Sequence, residues 1–425
     1  MRLSLFMEIP VPRPWSEDSE VNAFHEHLEQ VELADRIGLS TVWVTEHHFL
    51  EEYCHASSPE IFLAAASQRT SRIRLGFGIM HLPPGINHPA RIAERISTLD
   101  LVSRGRVEFG TGESSSVAEL GGFVVDPGKK REMWTEALQV ALGCMCDTPF
   151  AGFKGDHVTM PPRNVVPKPL QKPHPPVWVA CTSRKTVPVA ARGGIGCLSF
   201  SHQGPAPFAD IVREYYELVE SDECVPIARA MNPNVLSVTG GMVCDPDEER
   251  AIRTLGDTAR FFNYGIGHYY LGDQHKPGAM NLWESYSKGM ADDTIAGSRD
   301  QDLLMVGSPR KIRAHLREWE ATGVDEVMFL LPPVPHDAIM ESLEHFGRSV
   351  VPEFAERDED AAARKAAKFE PIIQRAMARR PPDPRVDPDY EFGGIASAWD
   401  TEAPVGEIVE AMSQVVVEEK YLQES

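Results

Sequence analysis

The chain has 425 residues, 42% hydrophobic and 25% charged, an ordinary globular composition that excludes low-complexity, collagenous and wholly disordered classes. With 42 Lys and Arg against 63 Asp and Glu, the formal charge is −21, so the average surface repels nucleic-acid phosphates and anionic membranes. The 7 cysteines include no CxxC pair, which leaves neither a zinc ribbon nor a disulfide scaffold; Met1–Pro10 lacks a signal-peptide pattern and no apolar run approaches about 18 residues, so a soluble protein of the cytoplasm is expected.

Strand-like runs are expected at Arg2–Ile9, Thr41–Thr45, Ile73–Met80, Arg106–Gly110, Val177–Cys181, Ile195–Phe200, Val235–Cys244 and Glu326–Leu331. Several are almost continuously apolar, as in VWVA and VMFLL, which is how parallel strands buried on both faces read. Helix-period stretches alternate with them: Phe24–Ile37, Pro59–Arg69, Pro89–Val102, Arg131–Leu142, Lys185–Ala191, Pro207–Glu220, Glu248–Phe262 and Pro309–Thr322. Gly38, Gly105 and Gly323 stand where left-handed C-cap residues are wanted. Successive βα units mean a closed (β/α)8 TIM barrel or a large doubly wound sheet. No strand is followed by GxGxxG, since Gly110-Thr-Gly112 lacks the third glycine, so the barrel is the expectation. Two insertions are long, the proline-rich Phe150–Pro176 and the Gly- and aromatic-containing Gly265–Val306. The second is a candidate lid, with glycine hinges and the aromatics Trp283 and Tyr286 to cover a bound ring. Beyond residue 352 the pattern becomes a charged, Ala-rich helix, a Pro/Asp linker and an acidic tail with the apolar stripe Ile408, Met412 and Val416. The expected organisation is therefore a barrel over 1–352 and a helical extension over 353–425, packed on the barrel or on a partner subunit.

In a barrel the C-terminal ends of the strands build the active site. Those ends carry Glu46-His47-His48-Phe49, Met80-His81, Gly112-Glu113-Ser114, Cys181-Thr182-Ser183-Arg184, Ser199-Phe200-Ser201-His202 and Cys244-Asp245. Two metal ligands from one strand need His-x-His spacing, because alternate side chains share a face; here the histidines are adjacent, so no metal is expected. No G-x-S-x-G elbow supports Ser/His/Asp hydrolysis. Thr182, Ser183, Lys185 and Thr186 at a helix start suit a phosphate, as does Arg131 opening an earlier helix; a plain N-cap and a solvated arginine remain open readings. His47 and His48, preceded by a glutamate at a barrel mouth, point to proton transfer, with Glu46 orienting a neighbour.

The segments TVWVTEHHF (Thr41–Phe49), Ile73–Met80 with Leu82-Pro83 and His88-Pro89-Ala90-Arg91, Leu99-Asp100, Ser103-Arg104-Gly105-Arg106, Phe109-Gly110 and GSPRKIRAHLREWEATGVDEVMFLL (Gly307–Leu331) together resemble the bacterial luciferase-like flavin monooxygenases over roughly residues 1–350. The resemblance implies a TIM barrel that uses reduced FMN and O₂, through a C4a-hydroperoxyflavin, to oxygenate an aldehyde, ketone or alkyl compound. It implies a separate NAD(P)H:flavin reductase and a homodimer. It gives His47 acid–base chemistry beside the flavin, and gathers Glu46, His48, Gly78, Gly112, Arg131, Thr182, Ser183, Lys185 and Thr186 around the cofactor. His81, Phe200 and Trp283 fall on the substrate or lid side. Glu113 stands where luciferase itself has an arginine and Gly112 where it has a reactive cysteine, which points away from light emission and leaves room beside the ring. An F420-dependent hydride-transfer enzyme and a non-catalytic flavin-binding protein are the alternatives; a mere carrier has no need of His47.

Overall fold

A computed structural model describes residues 1–201, 204–256, 258, 261–271, 274–291 and 305–391. The chain divides into two compact units, Met1–Asp383 and Pro384–Ser425. The architecture below is that of the first; the stripe Ile408, Met412 and Val416 lies outside the described residues.

Eight parallel strands close a barrel: β1 (Arg2–Met7), β2 (Thr41–Val44), β3 (Arg74–Phe77), β4 (Val107–Gly112), β5 (Val177–Ala180), β6 (Gly196–Phe200), β7 (Val235–Cys244) and β8 (Glu326–Leu330). Each pairs with its neighbours in chain order, and β8 returns to β1 with Arg2 opposite Glu326 and Phe6 opposite Leu330. The connecting helices, among them α1 (Ser19–Ile37), α2 (Pro59–Arg69) and α3 (Pro89–Val102), bury their apolar stripes against the outer faces of the strands. Gly38, Gly105 and Gly323 are all left-handed, with φ of 87°, 81° and 81°.

The barrel interior is filled by Phe6, Trp43, Trp178, Leu198, Leu236, Val238, Met328 and Leu330. Two indoles fit because the facing strand offers glycine. Trp43 pairs with Gly76 and Trp178 with Gly196, and a Cβ on either glycine would sit 2.4 or 2.3 Å from an indole carbon. Buried N–H groups need acceptors. Accordingly Trp43 donates to Glu326 at 2.8 Å and Trp178 to Glu108 at 2.7 Å, and Arg2 and Arg74 pair with the same carboxylates. Trp43 is held by that bond and cannot swing away, so Gly76→Ala should cost roughly 1–3 kcal/mol through overpacking. The urea unfolding midpoint measures it; an unchanged midpoint would mean that the indole yields freely.

Three local departures bear on the site. The run read as Ile73–Met80 breaks after Phe77, and Met80–His81 pairs instead with Thr111 and Gly112. Strand β7 shifts register between Thr239 and Gly241; Met242–Cys244 then pair with Met305–Gly307 outside the barrel, which carries Cys244 and Asp245 away from its mouth. The expected helix after β5 begins as a three-residue 3-10 turn, Arg184–Thr186, followed by only Val187–Arg192. Its dipole is correspondingly small.

Further along, α4 (Val117–Gly122) and α5 (Lys130–Cys146) follow β4, and α6 (Val187–Arg192) and α7 (Pro205–Glu220) flank β6. After α8 (Glu248–Leu255), α9 (Phe261–Ile266) leads into the long insertion, whose described residues include a π-helical turn Gly267–Leu271 and α10 (Leu282–Ala291), the first amides of α10 being capped by Glu52 from the β2–α2 connection. Residues 272–273 and 292–304 of this candidate lid lie outside the described residues. Beyond α11 (Pro309–Ala321) and α12 (His336–Ser349), helix α13 (Val351–Ala378) buries Val351, Phe354, Phe369, Ile372 and Ala376. Helix α13 lies past the boundary expected at 352 yet belongs to the first compact unit, and this face of it packs on β1 and α12, the first of the two packings expected for the extension. Among the described residues no helix is long and apolar enough to cross a membrane.

Candidate active site

A cavity of about 500 Å³ opens at the C-terminal ends of the strands. It has an apolar wall of Phe6, Ile79, Val179, Leu198, Phe200 and Phe262. Two polar groupings share it. Glu8, His47, Tyr53, His81 and Tyr270 form one; Glu113, Lys130, Arg131, Thr182, Ser183, Lys185 and Thr186 form the other.

His47 follows β2, and its ring is fixed by carboxylates from two other elements. Nδ1 lies 2.9 Å from Glu119 Oε1 on α4, and Nε2 lies 3.9 Å from Glu8 Oε1 at the end of β1. Burial alone would lower the imidazole's pKa, but the charge and hydrogen bond of Glu119, with Glu8 and Glu46 behind it, outweigh that cost and raise it. The converse holds for Glu119. Burial resists its ionisation, yet the His47 charge and the hydrogen bonds from His47 and Ser114 bring it down to about 2. Glu119 also accepts from the His48 amide at 3.0 Å and from Ser114 at 2.8 Å.

Glu46 and His48 do not line the cavity. Glu46 is buried beneath it and accepts from the His81 amide at 2.7 Å, Asn87 at 2.8 Å and His48 Nε2 at 3.1 Å. His48 packs edge-on against Phe123 at 4.9 Å. These two set the backbone that carries His47 and His81. His47, His81 and Glu119, and likewise Glu46, His48 and His81, bring side-chain donors within 4.8 Å of one another. The carboxylates of both sets accept the hydrogen bonds just named, whereas His81, common to both, keeps a buried ring nitrogen without a hydrogen-bond partner.

In the second grouping Arg131 donates to Thr186 at 3.1 Å and is ion-paired with Glu113. Glu113, which stands where luciferase has an arginine, is thus half of a pair with Arg131. Lys130 donates to the Ser114 carbonyl at 2.6 Å, and the Ser183 hydroxyl accepts from the Lys185 amide at 3.4 Å. Because the helix behind this loop is short, its anion-binding capacity rests on the side chains of Arg131, Lys185, Thr182 and Thr186.

Gly78 and Gly112 line the cavity, but neither leaves open space. A Cβ on Gly112 would lie 2.5 Å from Ile79 Cδ1, and one on Gly78 would lie 3.2 Å from Phe6. The room expected beside Gly112 is taken by the Ile79 side chain. Phe200 stacks near Phe262 at 6.4 Å. Trp283 is away from the lining, packed on Phe261 at 4.9 Å and Tyr286 at 5.6 Å. Phe262, just before the insertion, and Ile266 and Tyr270 within it line the cavity. Sequence reasoning missed Glu8, Tyr53, Glu119 and Tyr270. For Glu8 the signal was present, since it follows the last residue of β1 and the strand-end rule selects it. Glu119 sits on a six-residue helix with no periodicity to read.

A flat, largely apolar ligand with a polar edge and an anionic tail fits this arrangement. His81 adds a buried Nδ1 with no hydrogen-bond partner, an atom still available to such an edge.

Comparison with known proteins agrees in kind. Residues 1–326 match the family model described as luciferase-like monooxygenase. The chain is 31% identical to the protein y4wF of Sinorhizobium fredii (strain NBRC 101917 / NGR234) over 54% of its own length, spanning 64% of that protein. It is 28% identical to limonene 1,2-monooxygenase of Rhodococcus erythropolis, over 80% of this chain and 84% of that one. Among solved structures, the oxygenating constituent of 3,6-diketocamphane monooxygenase from Pseudomonas putida, in complex with FMN, superposes with a TM-score of 0.63 at 19% identity, covering 83% of this chain and 98% of that one. Coenzyme F420-dependent tetrahydromethanopterin reductase from Methanopyrus kandleri superposes with a TM-score of 0.60 at 18% identity, covering 83% and 99%.

Proposed function

The chain belongs to the luciferase-like monooxygenase family, and from that premise we propose that it is the oxygenating component of a two-component flavin-dependent monooxygenase. It takes reduced FMN from a separate reductase, works as a homodimer and oxygenates a small organic compound such as an aldehyde, ketone or alkyl compound. One observation carries the reading: a single cavity joins a carboxylate-flanked histidine, an apolar wall and a cationic, hydroxyl-lined corner. FMN has the matching parts, a flat ring and a phosphate. The limonene and diketocamphane enzymes, both named monooxygenases, set the substrate expectation toward small apolar carbon skeletons.

When bound, reduced flavin supplies the two electrons that activate O₂. The chain's own residues do the rest. Arg131, Lys185, Thr182 and Thr186 hold the phosphate, while Phe200 and Phe262 cover the apolar part of the cavity and keep water from it. His47 holds or moves a proton at Nε2, the ring nitrogen not engaged by Glu119.

Riboflavin lacks the phosphate, so the test compares the two ligands. A charge-assisted hydrogen bond contributes about 1.5–3 kcal/mol, so Arg131→Ala should weaken FMN about 10- to 100-fold and riboflavin hardly at all. Thr182→Ala should act in the same sense but less. Glu113→Gln should tighten FMN, because it frees Arg131 from a competing carboxylate. Equal losses for both ligands would place the phosphate elsewhere. Tight binding of F420 without binding of FMN would overturn the choice of cofactor.

A further inference from the structure

Glu8 is 4% exposed, lines the same cavity as His47 and has no part in the chemistry above. Its Oε1 accepts a hydrogen bond from the Tyr53 hydroxyl at 3.0 Å and lies 3.9 Å from His47 Nε2. Across the ring, Nδ1 is held by Glu119, a fixed anion. His47 therefore stands between two carboxyl groups of unlike character. A glutamine at position 8 would accept the Tyr53 bond equally well and spare the desolvation of a carboxylate. A titratable group at that point is intelligible if its proton is used.

We propose that Glu8 and His47 share one exchangeable proton, Glu8 storing it and His47 delivering it through Nε2. In one form Nε2 carries the proton and Glu8 is a carboxylate; in the other the imidazole is neutral and Glu8 is the acid. Exchange moves one proton and no electrons. Delivery to a bound acceptor leaves a neutral imidazole, with Nδ1–H toward Glu119, and a Glu8 carboxylate, which a solvent proton resets. The 3.9 Å gap is closed by a small rotation of either side chain or by one bridging water. Burial pushes Glu8 up to about 7, against the lowering pull of His47 and Tyr53, which matches it to an imidazole. The other titratable groups facing the pair are Tyr53, Cys54, Tyr270, Glu119, Glu46 and His81. Burial keeps the first three protonated and lowers the His81 pKa, so Glu119 and Glu46, both held below the usual carboxylate range by their partners, are the fixed charges among them.

The proposal rests on the reading of His47 as the site's proton carrier, and its test needs no cofactor. In the flavin-free full chain with isotope-labelled imidazoles, the resonance absent from His47→Gln identifies His47. Its titration should show two inflections in wild type, the second reporting Glu8. Glu8→Gln should leave a single inflection, moved down by about one pH unit for loss of a facing anion. Tyr53→Phe keeps the carboxyl but removes the bond that favours its ionised form, so the Glu8 inflection should move up in pH. One unshifted inflection in all three proteins would overturn the proposal. If the coupling is present but His47→Ala turns over normally, the functional reading fails and the shared proton stands.

Discussion

His47→Ala should lower turnover by about 10²–10⁴-fold, the range general acid–base groups contribute, while flavin affinity changes little. The side chain reaches the cavity through Nε2 alone, because Nδ1 is taken by Glu119, so its removal deletes a proton-transfer atom more than a binding contact. Rate and affinity, measured separately, decide the matter; full activity in the mutant would leave His47 a structural role. His48→Ala, lying outside the cavity lining, should act through stability or the placement of His47. The pH dependence has a definite sign. His47's pKa is raised in the folded protein, so a reaction needing the imidazolium persists to higher pH and fades as pH rises through that value. Burial opposes the shift and Glu119 is the foremost cause favouring it. Glu119→Gln should therefore move the alkaline limb of the rate profile to lower pH.

Lys365→Met should destabilise the fold by roughly 3 kcal/mol, although it lies at the opposite end of the barrel from the cavity. Its Nζ donates from α13 to Tyr216 at 2.7 Å, Asn234 at 2.7 Å and Asp325 at 2.5 Å. Asp325 and Asn234 immediately precede β8 and β7, so the lysine ties the last helix to the N-terminal ends of two strands. Burial lowers the Lys365 pKa, and Asp325 pulls it back. Methionine would fill the volume but leave Asp325 without its cation, the costly way to break a partly buried pair. A lower denaturation midpoint with turnover intact on the folded fraction is expected. An unchanged midpoint would mean that Phe354, Phe369 and Ile372 hold α13 by themselves.

The eight strands and the barrel were legible in the sequence because strands buried on both faces read as short, near-continuous apolar runs, and helix ends as glycines with left-handed φ. The rule that strand ends build the site found His47, His81, Thr182 and Thr186 without any contact being known. Pairings between distant segments were not legible. His47 meets Glu119 across 72 residues, and the six-residue helix that carries Glu119 has no periodic signal; Arg131 and Thr186 were brought together by the family resemblance. Helix α13 read as an appendage because its buried positions are sparse, with Phe354 and Phe369 separated by a charged stretch; only the packed barrel shows that Lys365 in that stretch has partners. Local patterning decides which face of each element is apolar. Which carboxylate stands beside which imidazole, and hence where a proton rests, depends on distances of a few ångströms that exist only after the barrel closes.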